Sequence, residues 1–391
     1  MSAPRSLSDA TLAFIASETT LCGELGIAAR FSAASSVPLM ISSSNTAAAV
    51  AALRAGRFMP SSLIGDARLW RGKVATSEVP TELQEGMRLY DLDEWARSYM
   101  RGMQADAVLT PSYFVTRGDW ASLEAVLEAS LAPATPDVVT LIPTDAAMLE
   151  SSYLSDLLRV LHNTSRRQLA FVFAANKRPL AKRDRLGGLR DLLREFPGSW
   201  ILGVDVLVAT DALAHGAGLV GVGASSGYRW PQRPGDSGGP LARNFLPGLF
   251  LRELLEFRSP DFYADWFADS PSPSCELCAR TLDAFEPTAE DKQCIIQHNL
   301  HAIQEIVTAL LSVPAIDRIA WIRDVRLAAL EAHASLTSQA TPVQADSTLR
   351  FLCEMDDPHI RETARCGAWI EAKPHRRAPE NATLQPSIGA D

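Results

Sequence analysis

The chain lacks the features expected of a membrane protein or of a disulfide-stabilised secreted protein. Its 391 residues include only six cysteines, and their spacing does not form a disulfide framework, which favours a reducing cytoplasm. No apolar run reaches about eighteen residues, the length that a membrane-spanning helix needs. The first nine residues are polar and of mixed charge, unlike a signal peptide. We therefore expect a cytoplasmic protein without a membrane span.

The chain also lacks an overall positive charge. Its formal net charge is −9 at pH 7, which argues against nonspecific attraction to nucleic acid. A local basic patch is the candidate for steering a phosphate backbone, with a solvated surface as the alternative. The patch consists of Lys177, Arg178, Lys182, Arg183, Arg185, Arg190 and Arg194.

Short apolar runs alternate with amphipathic stretches over the first two thirds of the chain. The predicted strands are residues 37–41, 107–109, 138–142, 169–173, 200–208 and 219–222. Parallel strands joined by helices form layered α/β folds, and the series predicts a (β/α)8, TIM-like barrel over residues 1–268. Polar residues follow each strand, and such residues converge on the rim where barrel active sites lie.

Two of these polar residues are carboxylates, Asp145 and Asp211. Each follows a predicted strand, so each is expected to point into the rim. The simpler alternative is that each only caps the helix that follows it.

Four residues late in the chain have the types and spacing of zinc ligands: Cys275, Cys278, Cys294 and His298. Cys275 and Cys278 can bind one ion from a tight turn. Four ligands of these types complete a closed, tetrahedral structural site. Cys294 and His298 are four residues apart, so on a helix they leave the same face. The alternative is a set of buried thiols that pack as small hydrophobic side chains.

The composition changes after residue 258. A Ser/Pro-rich loop leads into the first two cysteines, and helices are predicted over residues 289–311 and about 316–335. We assign residues 269–335 to a zinc-binding subdomain with closing helices. Residues 336–391 form a C-terminal extension, predicted to be partly disordered apart from a short amphipathic stretch near residues 349–355.

A predicted barrel, a late Cys-x-x-Cys and the downstream sequence His298-Asn299-Leu300 together resemble the tRNA-guanine transglycosylase superfamily. Members of that superfamily are (β/α)8 barrels with a structural zinc subdomain near the C-terminus. Their signature is Cys-x-Cys-x-x-Cys, followed by a histidine in a His-Asn motif. The resemblance covers roughly residues 200–312, and the N-terminal half matches only as architecture.

Three of the four zinc-ligand candidates match that signature, and Cys294 does not. The superfamily's first cysteine falls on Pro273. We expect Cys294, one helical turn before His298, to replace the missing ligand. His301, three residues beyond His298, is the competing candidate.

The resemblance implies an enzyme that exchanges guanine in tRNA or DNA for a 7-deazapurine base through a carboxylate nucleophile. Superfamily members carry that nucleophile, an aspartate, on a late strand, where this chain has Gly221 and no carboxylate between Gly216 and Pro234. Asp211 and Asp145 are therefore the candidate catalytic residues. The alternatives are a non-catalytic, zinc-stabilised partner subunit in a homo- or hetero-dimer, or an enzyme acting on a small nucleoside or phosphorylated substrate.

Five rim residues are candidates for substrate binding: Asn176, Ser225, Ser226, Tyr228 and Arg229. Arg229 follows a late strand, where barrels often bind phosphate, with Ser225 and Ser226 adding hydroxyl groups. A salt bridge within the loop is the alternative for Arg229. Tyr228 is a candidate for stacking on a flipped base.

Overall fold

The computed structural model describes residues 11–16, 24–84, 92–131, 137–164, 168–236, 246–269, 271–275, 277, 279–282, 284–336 and 343–357. Eight parallel strands in these ranges form a closed barrel in chain order. The strands are β1 (Leu12–Ala16), β2 (Leu39–Ser42), β3 (Leu63–Asp66), β4 (Ala107–Leu109), β5 (Val138–Asp145), β6 (Leu169–Ala174), β7 (Trp200–Val204) and β8 (Leu219–Gly223). β8 pairs with β1 and closes the barrel. The predicted barrel is confirmed.

Helices surround the barrel and mostly follow the strands one by one. The first seven are α1 (Glu24–Ser35), α2 (Thr46–Gly56), α3 (Leu92–Met103), α4 (Trp120–Ala129), α5 (Ser151–Thr164), α6 (Arg183–Glu195) and α7 (Val206–Ala214). Next come α8 (Ser226–Arg229), the antiparallel strands β9 (Leu249–Leu251) and β10 (Glu256–Arg258), α9 (Pro260–Trp266), α10 (Ala289–Ser312), α11 (Arg318–Ser335) and α12 (Ser347–Asp356).

The eighth position of the helix layer is taken by α10. The helix that follows β8 directly, α8, is a single turn, whereas α10 packs against both α1 and α7. The predicted zinc subdomain therefore shares its main helix with the barrel wall. α11 and α12 pack on α7, and α12 coincides with the amphipathic stretch predicted near residues 349–355. The C-terminal tail, residues 358–391, lies outside the described residues.

The barrel has two apolar cores, because successive residues of a strand point to opposite faces. The inner core fills the barrel with side chains such as Ile15, Met40, Ile64, Leu141, Val172 and Leu202. The outer core lies between the strands and the helices and contains Phe14, Ile41 and Val222. Because apolar side chains fill the barrel interior, inward-pointing polar side chains lie at the carboxyl ends of the strands.

The predicted strand 200–208 is too long. β7 ends at Val204, and Asp205 caps α7 by accepting the backbone N–H of Val208 on Oδ1 at 3.0 Å. The first eight residues of α7 are all buried, so the helix shows no polar face. A short apolar run of this kind cannot be assigned to a strand or a buried helix by periodicity alone.

Within the described ranges, no helix combines the length and the apolar character needed to cross a bilayer.

Candidate active site at the barrel rim

Asp66 ends β3 on the inward face of the barrel, two residues after the inner-core residue Ile64. The Ser42 hydroxyl donates to its Oδ2 at 2.6 Å, and the Arg68 backbone N–H donates to its Oδ1 at 2.8 Å. Burial raises the pKa of Asp66, while the hydrogen bond from Ser42 opposes the rise. A buried carboxyl with a raised pKa is suited to act as a proton donor.

Asp145 ends β5 and lies on the same inward face as Leu141. Arg233 grips both of its oxygens, with Nε 2.7 Å from Oδ2 and Nη2 3.2 Å from Oδ1. The Ala147 backbone N–H also donates to Oδ1 at 2.9 Å. Asp145 lies at the carboxyl end of β5, as predicted, and its side chain also caps the short helical turn Ala146–Leu149, as in the alternative prediction.

Glu24 begins α1 and is a third acid at this end of the barrel. Burial raises the pKa of Glu24 to about 7, against opposing hydrogen bonds from Ser225 and the positive charges of Arg229 and Arg68. Its Oε1 atom is buried and has no hydrogen-bond partner among the described residues. Ser225 is thus at the rim as predicted, in contact with an acid.

Tyr228 lies where the inner core meets the rim. Its hydroxyl accepts a hydrogen bond from Arg68 Nη1 at 2.5 Å, and the Arg68 guanidinium carbon lies 4.4 Å from the ring centroid. Asn176 is exposed just after β6, and Ser226 is half-buried at the start of α8. Both therefore lie at the carboxyl ends of strands, as predicted.

The role predicted for Arg229 does not fit its surroundings. Arg229 is only 2% exposed. Its Nη1 donates to the carbonyls of Gly223 and Ala224 at 3.2 Å, and its guanidinium carbon lies 3.9 Å from the Phe257 ring centroid. Burial lowers the pKa of Arg229 to about 10. The guanidinium therefore holds the loop after β8 in place and is not presented to a phosphate.

Asp211 lies in the helix layer and not at the rim, so its predicted orientation is wrong. α7 starts at the rim and runs back along the barrel, and Asp211 is well past the middle of that helix. Arg190 Nη2 and Arg326 Nη2 donate to its Oδ1 at 2.7 and 2.9 Å. Burial acts to raise the pKa of Asp211, but these two positive charges outweigh it and hold the pKa well below its usual range.

Gly221 lies in the middle of β8 and faces the inner core. A Cβ atom there would be 2.9 Å from side-chain atoms of both Ile15 and Leu202. An aspartate would have to displace the packed interior of the barrel. A larger residue at this position would therefore require the ends of the Ile15 and Leu202 side chains to shift.

Most of the predicted basic patch is matched by carboxylates. The pairs are Arg178 with Asp346, Lys182 and Arg185 with Glu150, Arg183 with Glu354, Arg190 with Asp211 and Asp356, and Arg194 with Asp191. Three of these carboxylates, Asp346, Glu354 and Asp356, flank or belong to α12. These salt bridges hold α12 against the barrel. Because the basic side chains are paired with acids, the patch has little net positive potential to attract a phosphate backbone.

A cleft of about 170 Å³ lies between the β9–β10 hairpin and α10, and Cys275, His298, His301 and Glu305 are among its lining residues. His298 donates from Nε2 to the Phe250 carbonyl at 2.8 Å, and its buried Nδ1 has no partner in the described part of the chain. Burial lowers the pKa of His298. A neutral imidazole held by a backbone carbonyl through one nitrogen is the usual state of a zinc ligand.

The other zinc-ligand candidates do not all lie in the cleft beside His298. Cys278 lies outside the described residues. Cys294 packs beside an apolar cluster and does not line the cleft, whereas His301 does. No group of three or more metal-binding side chains occurs within the described ranges. His301 lines the cleft and lies 3.7 Å from Glu305, and the choice between His301 and Cys294 as the fourth ligand stays a prediction.

Sequence reasoning missed Asp66 and Glu24. The signal for Asp66 is the short run Leu63-Ile64-Gly65 ending in an aspartate, a brief version of the strand-then-polar pattern seen elsewhere. Glu24 has no local signal, because its burial comes from the packing of α1 beside the loop after β8.

No protein-family profile matches the sequence, and no curated protein matches it significantly. Among solved structures, the chain is similar to one described as "QR15, an Aldolase", with 10% sequence identity and a TM-score of 0.31. That match covers 57% of this chain and 93% of the other. A likeness this distant carries no conclusion about activity.

Proposed function

We propose that the chain is a transglycosylase-like enzyme that exchanges guanine in tRNA or DNA for a 7-deazapurine base. The observation that carries the proposal is the pair of inward carboxyls at the rim, Asp66 on β3 and Asp145 on β5. They stand in opposite electrostatic surroundings, one buried beside a hydroxyl and one bound by a guanidinium. Two carboxyls in different surroundings are what acid–base and nucleophilic roles in one reaction require.

In the proposed reaction Asp145 attacks the sugar C1′ atom. A bond forms between its carboxylate oxygen and C1′ while the bond from C1′ to the guanine nitrogen breaks, and Asp66 gives the departing base a proton. The incoming base returns a proton to Asp66, attacks C1′ and releases Asp145. Arg233 moves from its two-point contact with Asp145 to free the attacking oxygen.

This assignment relocates the nucleophile relative to the superfamily that the sequence resembles. Gly221 carries no carboxylate and is packed against Ile15 and Leu202, and Asp211 is held by two arginines in the helix layer. Of the two candidate catalytic residues predicted from the sequence, Asp145 is the one that lies at the rim.

The proposal includes a structural zinc ion in the cleft beside α10. Cys275 and His298 line that cleft, Cys278 is the expected partner of Cys275, and His301 or Cys294 completes the set. A zinc site of this kind stabilises the fold by on the order of 10 kcal/mol. We expect His301→Ala to lower the zinc content of the purified protein and Cys294→Ala to leave it unchanged; the reverse result would restore Cys294 as the ligand.

The test is incorporation of labelled guanine and labelled 7-deazapurine bases into tRNA and duplex DNA by purified, zinc-loaded protein. We expect Asp145→Asn and Asp66→Asn to abolish incorporation. Asp156→Asn is the matched control, because Asp156 is half-exposed on α5 and pairs only with the exposed Arg159. Incorporation that survives Asp145→Asn would refute the assignment of the nucleophile.

A second candidate function, a non-catalytic partner subunit in a dimer, is favoured by one observation. The position that aligns with the superfamily's nucleophile is a glycine, Gly221, packed against Ile15 and Leu202. If the wild-type chain incorporates no base into either polymer, and instead raises the exchange rate of an active transglycosylase subunit with which it forms a dimer, this second function is correct.

A further inference from the structure

We infer that Arg68 and Arg71 form a binding site for a phosphate group at the barrel mouth, next to Asp66 and Tyr228. The inference deepens the proposed function and rests on it in one respect: the phosphate belongs to the nucleotide whose glycosidic bond lies at Asp66. Phosphate binding itself can be measured without the exchange reaction.

The first observation is that these two guanidiniums have no carboxylate partner. Neither forms a salt bridge with any residue in the described part of the chain, whereas Arg190, Arg233 and Arg326 all do. The buried Nε of Arg68 has no hydrogen-bond partner there. Arg71 donates from Nη1 to the Gln232 carbonyl at 2.7 Å, a neutral acceptor. Both side chains are only partly exposed, so water does not fully solvate the two charges.

The second observation is that the two charges are close enough to repel each other. Burial and the positive charge of Arg68 both lower the pKa of Arg71, and Tyr228 and Asp236 oppose them. Two partly buried guanidiniums side by side are stabilised by one shared anion. A phosphate group suits them, because its oxygens can accept the paired N–H groups of both side chains.

The local backbone fixes Arg68 toward the mouth. Arg68 has φ 55°, in the left-handed region that a non-glycine residue rarely adopts. Its N–H donates to Asp66, and its side chain reaches across to Tyr228 on the loop after β8. Arg68 and Arg71 lie on the loop after β3, and their partners Tyr228 and Gln232 follow β8, so the site joins two segments of the rim. The same turn therefore links the acid of the proposed reaction to the phosphate site.

Three nearby acids act on the two guanidiniums through space but form no salt bridge with them within the described residues. They are Glu24 and Asp66, which act on Arg68, and Asp236, which acts on Arg71. Burial raises the pKa of Glu24 to about 7, so this acid is only partly ionised near neutral pH.

The test is calorimetric titration of the full-length protein with three probes: guanosine, guanosine 5′-monophosphate and a short single-stranded oligonucleotide containing guanine. We expect at least one phosphorylated probe to bind ten-fold or more tightly than guanosine. Arg68→Gln and Arg71→Gln should each remove most of that advantage. The control is Arg159→Gln, because Arg159 is exposed on α5 and distant in sequence from the rim.

The probes distinguish the source of the phosphate. Tighter binding of the monophosphate indicates a small nucleotide substrate, and tighter binding of the oligonucleotide alone indicates a backbone diester; either result supports the site. Arg71→Gln carries the test if Arg68→Gln fails to fold, because the hydrogen bond that the Arg71 guanidinium makes within the described residues goes to a backbone carbonyl.

Equal affinity for all three probes, or full affinity for the phosphorylated probes in folded Arg71→Gln, would overturn the inference. Arginine-dependent phosphate binding without base exchange would instead sustain the site and refute the proposed reaction. If base exchange occurs and its KM for nucleic acid does not change in Arg71→Gln, the proposed reaction is sustained and the phosphate site is refuted.

Discussion

Two buried aspartates in this chain, Asp211 and Asp66, have opposite surroundings. In the helix layer, Asp211 is bound by Arg190 and Arg326, and Asp356 completes a closed cluster of two acids and two bases. At the rim, Asp66 accepts hydrogen bonds from a hydroxyl and a backbone N–H and forms no salt bridge within the described residues, although the positive charge of Arg68 acts on it. The first arrangement fixes a carboxylate between two guanidiniums. The second leaves a carboxyl without a directly bonded cation.

The contrast shows that an aspartate after an apolar run does not by itself indicate a rim position. Asp211 and Asp145 both follow such runs, but α7 starts before Asp211 whereas β5 continues to Asp145. In a barrel the strands run toward the rim and the helices run away from it. A shift of one element boundary therefore moves a side chain from the active face to the helix layer.

The largest expected effect concerns the helix-layer cluster. Arg326→Met should destabilise the protein by about 3–5 kcal/mol, because it leaves two buried carboxylates short of a partner. The free energy of unfolding in urea measures this. Arg323→Met is the matched control, since Arg323 lies on the same helix but is exposed, and it should change stability by less than about 0.5 kcal/mol. Equal effects would show that the cluster has no special structural role.

The next effect concerns the rim. Asp66→Asn should reduce the rate of base exchange by about 10²–10⁴-fold, the usual contribution of a positioned acid or base. The midpoint of thermal unfolding should change little, because asparagine keeps an oxygen that can accept from Ser42 or Arg68. Single-turnover rates and calorimetry on the same samples separate the two effects. A large loss of stability together with unchanged activity would place Asp66 with Asp211 as a structural acid.

The smallest effect concerns Glu24 and pH. Its folded-state pKa of about 7 is above the ordinary value of 4.5, so the folded state binds the proton more tightly. Stability from this group is complete below about pH 4.5 and is lost as the pH rises through 7. Glu24→Gln should therefore be more stable than wild type at pH 8, by about 1–2 kcal/mol, and similar to it at pH 4.5.

Urea unfolding at the two pH values tests this expectation. Glu124→Gln, an exposed position on α4, is the control and should show no such pH dependence. If the difference in free energy of unfolding between Glu24→Gln and wild type is the same at both pH values, Glu24 is solvated.

Much of the barrel was predictable from local patterns, and parts of the site were not. The predicted strands near β2, β4, β5, β6 and β8 overlap the observed ones, because short buried apolar runs end in polar residues there. The caps Asn45 and Asp119 were also predictable, since each side chain accepts an N–H three residues later.

The failures have a common physical cause, which is that burial depends on distant partners. Arg229 is covered by Phe257, twenty-eight residues later in the sequence. Asp211 finds Arg326, which is 115 residues away. A single sequence shows the charge of each side chain but not the residue that will bind it. Asp66 was missed for a simpler reason, since β3 has only four residues and gives a weak pattern.

The most direct test of the account is to trap the covalent intermediate. Protein is mixed with guanine-containing tRNA or DNA, denatured without added base, and digested, and the peptide that carries the nucleic-acid adduct is identified by mass spectrometry. We predict an adduct on Asp145 that accumulates in the wild type and is absent in Asp145→Asn. An adduct on any other residue, or none with either polymer, would contradict the claim that the rim carboxylates perform the chemistry.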